Sequence, residues 1–339
     1  MIPGPYLLYL GSANEPLSAK TARGIAVWRP GAAIGEIAEP GCTVSVGLPR
    51  MTIADSVAGG ARTLVLGFAN AGGTMDAVTV ARVLEAIGAG LNVASGLHAR
   101  LCDVPEIAAA AARAKVQLID VRTPPPLPVG TGDRRAGRRL LTVGTDCAVG
   151  KMYTTLALEK EMRARGIAAD FRATGQTGIM IAGSGVPIDA VVSDFLSGAA
   201  EWLTPARDDD GWDLIEGQGS LFHPSFAGVS LGLLHGSQPD ALVLCHEAGR
   251  ETIRHTEIYP VPDLALCLER NLEAGRLTSP NVRAVGVAVN TSRLQGDAAQ
   301  AYCLAVEDRL GLPCQDPVAM GTDRIVDNLI ACFAPSVPA

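Results

Sequence analysis

Residues 140–151 read Leu-Leu-Thr-Val-Gly-Thr-Asp-Cys-Ala-Val-Gly-Lys, and this stretch decides how the rest of the chain is read. Four residues of strand character, Leu140 to Val143, run into a turn bracketed by Gly144 and Gly150. Behind the turn, Tyr153 to Arg165 carries a helical pattern. Such a strand-turn-helix unit directs backbone N–H groups, a helix N-terminus and the ammonium of Lys151 at one point, which makes a phosphate site. The residue type supports this. Of 28 basic residues only Lys20, Lys115, Lys151 and Lys160 are lysines, and a phosphate cradle calls for a compact point charge on a thin stem.

The composition fits an α/β protein. Of 339 residues, 48% are hydrophobic and only 4% aromatic, so the apolar mass is Ala, Val, Leu and Ile, as in parallel sheets covered by helices. The net charge of −7, with no basic run longer than Arg134-Arg135 and Arg138-Arg139, argues against a nucleic-acid partner. No apolar stretch approaches the roughly 18 residues of a membrane span, and Met1 to Lys20 lacks the pattern of a signal peptide. Eight scattered cysteines without a C-x-x-C spacing suggest reduced thiols, no structural metal and a cytoplasmic setting.

Strand runs are expected at Gly24 to Trp28, Thr63 to Phe68, Leu91 to Ala94 and Val116 to Val121, with helices at Met75 to Ile87 and Pro105 to Ala114. Four prolines and two glycines between Arg122 and Asp133 then interrupt any regular element. Alternation resumes with strands at 139–143, 168–172, 212–216, 241–245 and 284–289. Helices follow at 151–165, 189–202, 262–274, 297–310 and 322–332. The expectation is therefore an α/β chain of two domains, each a parallel sheet flanked by helices. They would span 1–122 and 138–339, joined by a Pro/Gly linker at 123–137.

Five residues separate the glycines of the turn, one more than in G-x-x-x-x-G-K-[ST]. The longer loop resembles G-T-D-T-x-V-G-K-T of dethiobiotin synthetase, except that Met152 replaces the hydroxyl after the lysine. That hydroxyl normally ligates Mg²⁺, and a thioether is a poor ligand for a hard cation. The turn is thus read as a phosphate site with impaired Mg·ATP chemistry, held by Gly144, Thr145, Asp146, Cys147, Ala148, Val149, Gly150, Lys151, Met152 and Tyr153. Cys147 lies beside a lysine and a helix N-terminus, which favours a thiolate, but no histidine is sequence-local to it.

Other candidates cluster at strand ends, where open α/β sheets bind ligands. Trp212 to Ser220 places Glu216, Gln218 and Ser220 after a strand, with the N–H groups of Gly217 and Gly219 beside them. Arg172, Thr174, Gln176 and Thr177 suit a small polar or anionic substrate. His223 and His246, with Glu247, also stand at strand ends. Asn290 offers donor and acceptor to an adenine edge. The turn Gly67 to Gly73 is a further crevice loop.

The stretches G-T-D-C-A-V-G-K-M-Y-T, R-A-T-G-Q-T-G-I-M-I-A-G-S-G-V, E-G-Q-G-S-L-F-H-P and L-G-L-L-H-G-S-Q-P-D together resemble the D-glutamate N-acetyltransferase family, Met152 included. That resemblance implies a Rossmann-like domain followed by a dethiobiotin-synthetase-like domain of P-loop NTPase type. It also implies acetyl transfer from acetyl-CoA to D-glutamate in D-amino-acid catabolism. Under that reading the phosphate turn and Asn290 hold coenzyme A, with no metal. Glu216 or His223 is the base, and Lys151 is counted with them as catalytic. N–H groups near Gly217 to Gly219 serve the oxyanion, and Arg172 clamps a carboxylate. Two other readings stand beside it: an ATP- and Mg²⁺-dependent ligase or kinase, and a non-catalytic nucleotide-binding module. A homo-oligomer is expected from the Ala-rich, low-aromatic composition.

Overall fold

The computed structural model describes residues 1–68 and 74–334, which form two compact units. Met1–Pro125 and Gly175–Ala190 make the first, and Pro126–Thr174 and Val191–Ala339 the second. The division departs from a single boundary at 123–137, because the chain returns to the first unit for sixteen residues between Thr174 and Val191.

In the first unit five strands run parallel: β1 (Tyr6–Tyr9), β2 (Ala33–Ile37), β3 (Thr63–Leu66), β4 (Asn92–Ser95) and β5 (Leu118–Asp120). Their order is β2-β1-β3-β4-β5, a doubly wound arrangement whose direction switches between β1 and β3. Helices α1 (Lys20–Trp28), α2 (Ile53–Ala58), α3 (Ala77–Gly88) and α4 (Pro105–Ala114) connect the strands. Thr52 and Asp76 cap α2 and α3 by accepting the N–H groups of Asp55 and Thr79. Leu7, Tyr9, Leu64, Leu66, Val83, Ile87 and Val93 lie in the core between these layers.

Gly24 to Trp28 is helix, not strand. Its buried residues Thr21, Ala22, Gly24 and Ile25 recur at helical spacing and present one face. That face meets α6 (Gln176–Ala182), the segment returned from later in the chain. A Cβ at Gly24 would stand 2.9 Å from Ile181 Cδ1, so the close approach requires glycine. The strand positions belong instead to Tyr6–Tyr9 and Ala33–Ile37. Residues 69–73 of the expected crevice turn lie outside the described residues.

The second unit has six parallel strands in the order β11-β10-β9-β6-β8-β7. They are β6 (Arg138–Gly144), β7 (Ala169–Arg172), β8 (Trp212–Ile215), β9 (Ala241–Glu247), β10 (Arg283–Asn290) and β11 (Cys314–Gln315). β6 is internal, so the turn after it is flanked by the ends of β8 and β9. Helices α5 (Lys151–Ala164), α7 (Leu196–Leu203), α8 (Ala227–Ser237), α9 (Leu264–Arg276), α10 (Ala298–Leu310) and α11 (Asp323–Phe333) complete it. The helix expected at 189–202 begins only at Leu196, after 3₁₀ turns at Ile188–Ala190 and Ser193–Phe195. Residues 128–136 are not a free linker. Glu201 of α7 accepts the N–H groups of Thr131 and Gly132 at 2.9 and 2.7 Å, and Arg135 donates to the carbonyls of Thr204 and Gly236.

Candidate active site

The phosphate turn is built as its glycines require. Ala148 and Gly150 both adopt left-handed backbone, at φ 52° and 104°, so successive N–H groups curl into a concave nest. At Gly144 a Cβ would meet Val149 Cγ2 at 2.9 Å and Lys151 Nζ at 3.2 Å. The lysine therefore lies against a bare backbone. Lys151 is buried and donates to the Asp146 carbonyl at 2.7 Å. Burial pulls its pKa below the ordinary lysine value, partly opposed by the thiols and carboxylate around it.

Residues far along the chain clamp this turn. Asp146 is fully buried, and its carboxylate accepts from Arg250 Nη1 and from the N–H of Arg254, each at 2.7 Å. Arg250 also donates to the carbonyls of Cys147 and Ala148 and pairs with Glu247. Thr145 and His246 share a hydrogen bond at 3.1 Å, and the other ring nitrogen of His246 meets the Tyr302 hydroxyl at 3.1 Å. Burial, and then the charge of Arg250, pushes the His246 pKa down to about 4.

The hydroxyls behind Lys151 do not replace the one lost at Met152. Thr154 Oγ1 accepts from the buried Cys245 thiol at 3.5 Å, and Thr155 Oγ1 donates back to the Lys151 carbonyl. Burial pushes the Cys147 thiol up from its ordinary value, so the thiolate expected from sequence position is disfavoured. Asp146, Cys147 and His223 bring one potential ligand atom each within 4.8 Å of one another. Asp146 already accepts a guanidinium N–H and two backbone amides. Both nitrogens of His223 are also engaged: Nδ1 accepts the Ser225 N–H and Nε2 donates to the Arg254 carbonyl, each at 3.1 Å. These bonds orient the ring as a structural prop for the 250–254 segment, in place of the free base expected from its position.

Glu216 follows β8 and is buried. Its carboxylate accepts the Thr174 N–H at 2.9 Å and the Gln218 amide at 3.2 Å, while its carbonyl accepts Thr174 Oγ1. Thus Glu216, Gln218 and Thr174 form one polar group. Ser220 joins it to the phosphate turn by donating to the Thr145 carbonyl at 3.1 Å. The Gly217 N–H is already committed to Thr142 Oγ1 at 2.9 Å, and a Cβ there would fall 1.7 Å from the Thr142 carbonyl. The N–H groups of Gln218 and Gly219 have no partner among the described residues.

Arg172 does not join this group. Its guanidinium is held by Asp213 at 2.7–2.8 Å, beside Arg207, which also binds Asp213 and Asp170. A buried carboxylate at the start of β8 needs this counter-charge, so Arg172 is a structural cation and not a substrate clamp. Gln176 and Thr177 belong to α6 in the first unit, where Thr177 contacts Thr21 Oγ1 at 3.2 Å.

Asn290 ends β10 and lines a hollow of about 510 Å³ together with Gly150, Tyr153 and the 316–319 loop. Its Oδ1 accepts the Ser292 N–H, and its amide nitrogen has no partner among the described residues. Asp316 shapes the far wall by accepting from Thr291 and from the N–H groups of Val318 and Ala319. Burial acts to raise its pKa, yet these bonds hold it below the ordinary value. A second, open hollow of about 610 Å³ lies at Gly249–Thr252, Arg254 and Arg293. Arg250 and Arg293 pair with Glu247, whereas the exposed Arg254 guanidinium has no partner among the described residues. Arg250, Arg254 and Asp316 were missed in the sequence, although H-E-A-G-R-E-T-I-R after a strand carries the signal for the first two.

Residues 128–326 match the family described as Domain of unknown function (DUF1611_C) P-loop domain, and residues 37–124 match its Rossmann-like partner, DUF1611_N. The chain belongs to the DUF1611 family. A DUF1611 protein from Anabaena variabilis, known from its crystal structure, is 32% identical, with a TM-score of 0.83 over 97% of this chain and 100% of that one. Two curated proteins carry the name D-glutamate N-acetyltransferase. One, from Tritonibacter scottomollicae, is 50% identical over 98% of this chain and 100% of its own length. The other, from a Pseudoalteromonas species, is 49% identical over 97% and 99%. The P-loop assignment of the DUF1611 C-terminal domain agrees with the turn at 144–151.

Proposed function

We propose that this protein transfers the acetyl group of acetyl-CoA to the amino group of D-glutamate. The observation that carries the reading is the near-complete overlap, at about half identity, with two proteins named for that activity. The site supports it. A phosphate nest without a hydroxyl after its lysine suits a ligand whose phosphates are held but not transferred. Coenzyme A has the parts to match: a pyrophosphate for the nest and Lys151, and an adenine for the hollow at Asn290. Its ribose phosphate would take the counter-charge of Arg254 and Arg293.

In the reaction, the substrate ammonium gives up a proton, and the free amine attacks the thioester carbonyl. The C–N bond forms, the C–S bond breaks, and the thiolate leaves as the thiol of coenzyme A after protonation. Glu216 is the base in this reading, because it is the carboxylate at the strand end beside the turn. The unpartnered N–H groups of Gln218 and Gly219 suit the developing oxyanion. Lys151 neutralises phosphate charge, and no metal is assigned.

No helix among the described residues is long and apolar enough to cross a membrane. A cytoplasmic setting is supported by the eight free cysteines, and a homo-oligomer by the Ala-rich composition. A monomeric mass in solution would refute the latter. Calorimetric titration with acetyl-CoA and with Mg·ATP, followed by thiol release over a panel of D- and L-amino acids, tests the function. Binding of acetyl-CoA and release with D-glutamate are expected. Phosphate release from ATP without coenzyme A binding would overturn the reading.

A further inference from the structure

His246 stands near the end of β9, between β6, which runs into the phosphate turn, and β10, which ends at Asn290. Its buried ring joins two segments that are distant in sequence. Nδ1 lies 3.1 Å from Thr145 Oγ1 in the turn, and Nε2 lies 3.1 Å from the Tyr302 hydroxyl on α10. Ala299, three residues before Tyr302 on the same helix, lines the hollow at Asn290. The ring therefore ties a wall of that hollow to the start of the phosphate nest.

Burial sets the direction of the two hydrogen bonds. With a pKa pushed down to about 4, the ring is neutral at neutral pH and has one N–H donor and one acceptor nitrogen. Thr145 is fully buried, and its hydroxyl has no partner except this ring among the described residues. A buried donor left without an acceptor is costly, so the Thr145 O–H donates to Nδ1. The ring proton then sits on Nε2 and is given to the Tyr302 oxygen. Tyr302 is only partly buried, which leaves its own O–H to water.

Thr145 is held at its other polar atoms as well. Its N–H donates to the Cys245 carbonyl and its carbonyl accepts Ser220 Oγ, each at 3.1 Å. With the side chain also tied down, the first residue after β6 is fixed before a ligand arrives, and a preformed nest has less freedom to lose on binding. We propose that Tyr302 is a positioning residue for the nucleotide part of coenzyme A: through the Nε2–H tautomer of His246 it fixes Thr145, and with it the N–H groups of the phosphate turn. The identity of the ligand rests on the acetyltransferase reading, whereas the order of the hydrogen bonds does not. Tyr302 lies outside both the turn and the Glu216 group, so its loss acts on binding and not on the transfer step.

The order of the bonds is read in the full chain by ¹⁵N NMR of the histidine rings at neutral pH, with His246→Gln assigning the signal. The Nε2–H tautomer is expected, and the Nδ1–H tautomer in the parent would overturn the proposal whatever any variant does. Tyr302→Phe leaves the Nε2–H without its acceptor. It should weaken acetyl-CoA about tenfold in Kd and KM, the scale of one lost buried hydrogen bond, and keep kcat within about twofold. An unchanged Kd in the folded variant, or a fall in kcat at unchanged KM, would overturn the role. Thr145→Val should cost as much, and the double variant no more than either single one. Additive losses would show two independent residues and overturn the link. ADP without Mg²⁺ is the second probe. A parent that binds ADP but neither binds nor uses acetyl-CoA would overturn the acetyltransferase reading, and a similar loss of ADP affinity in Tyr302→Phe would still support the link. Undiminished ADP affinity in that variant would overturn it.

Discussion

Arg250 donates to the buried carboxylate of Asp146 at 2.7 Å, across 104 residues of sequence, and so holds a phosphate turn to which it does not belong. Removing one partner of a buried ion pair leaves the other charge uncompensated, which costs about 3–5 kcal/mol. Arg250→Met should therefore lower stability by that order and weaken coenzyme A, since the carbonyls of Cys147 and Ala148 lose their donor as well. Urea unfolding measures the first effect and calorimetry the second. An unchanged unfolding midpoint would contradict the role given to this pair.

Glu216→Gln keeps the shape of the side chain and its contacts with Thr174 while removing the basic oxygen. On the proposed mechanism kcat falls by about 10²–10⁴, the range of general-base contributions. The affinity for acetyl-CoA should hold. Rapid-quench or thiol-release kinetics at saturating substrate read this directly, and a variant with near-parental kcat would remove Glu216 from the chemistry.

His246 makes stability depend on pH. Its folded pKa is about 4, against an ordinary value of 6.5, because burial and Arg250 disfavour the imidazolium. Between those values the unfolded chain binds a proton that the folded chain does not. This group's contribution is therefore complete above about 6.5 and declines as pH falls towards about 4. His246→Gln should lose less stability than the parent between pH 7 and pH 5, by denaturant titration at each pH. Equal losses would locate the acid sensitivity elsewhere.

Arg254 distinguishes coenzyme A from its analogue lacking the ribose 3′-phosphate. If its exposed guanidinium answers that phosphate, dephospho-coenzyme A should bind the parent about tenfold more weakly, a difference of roughly 1.4 kcal/mol. The difference should shrink in Arg254→Gln and at high salt. Identical affinities for the two ligands in the parent would dismiss the contact.

The sequence carried the phosphate turn clearly because a lysine, two glycines and a following helix are local features. Glu216, Thr174, Gln218 and Ser220 are legible as candidates because each stands just after a strand; hydrogen bonds join the first three to one another and Ser220 to the phosphate turn. Arg172 shows the converse. Only the three-dimensional pairing of β7 with β8 reveals that Asp213 and Arg207 meet it. His223 has the right address, but the Arg254 carbonyl and Ser225 N–H that occupy its ring come from tertiary structure and a tight turn. In Gly24 to Trp28 five residues are too few to separate a buried helical face from an alternating one. The assignment of 175–190 to the first unit left no compositional mark at either crossing.

That excursion has a consequence for biosynthesis. A ribosome must pass β6 and the phosphate turn before Gln176–Ala182 emerges to cover the Gly24 face of α1. A fragment ending at Pro125 would carry the whole five-stranded sheet yet expose that face and lack the Asp189 anchor for Arg122. Excising the N-terminal region at the proline-rich segment would thus yield an aggregation-prone product, whereas grafting 175–190 onto it through a short tether should restore a soluble one.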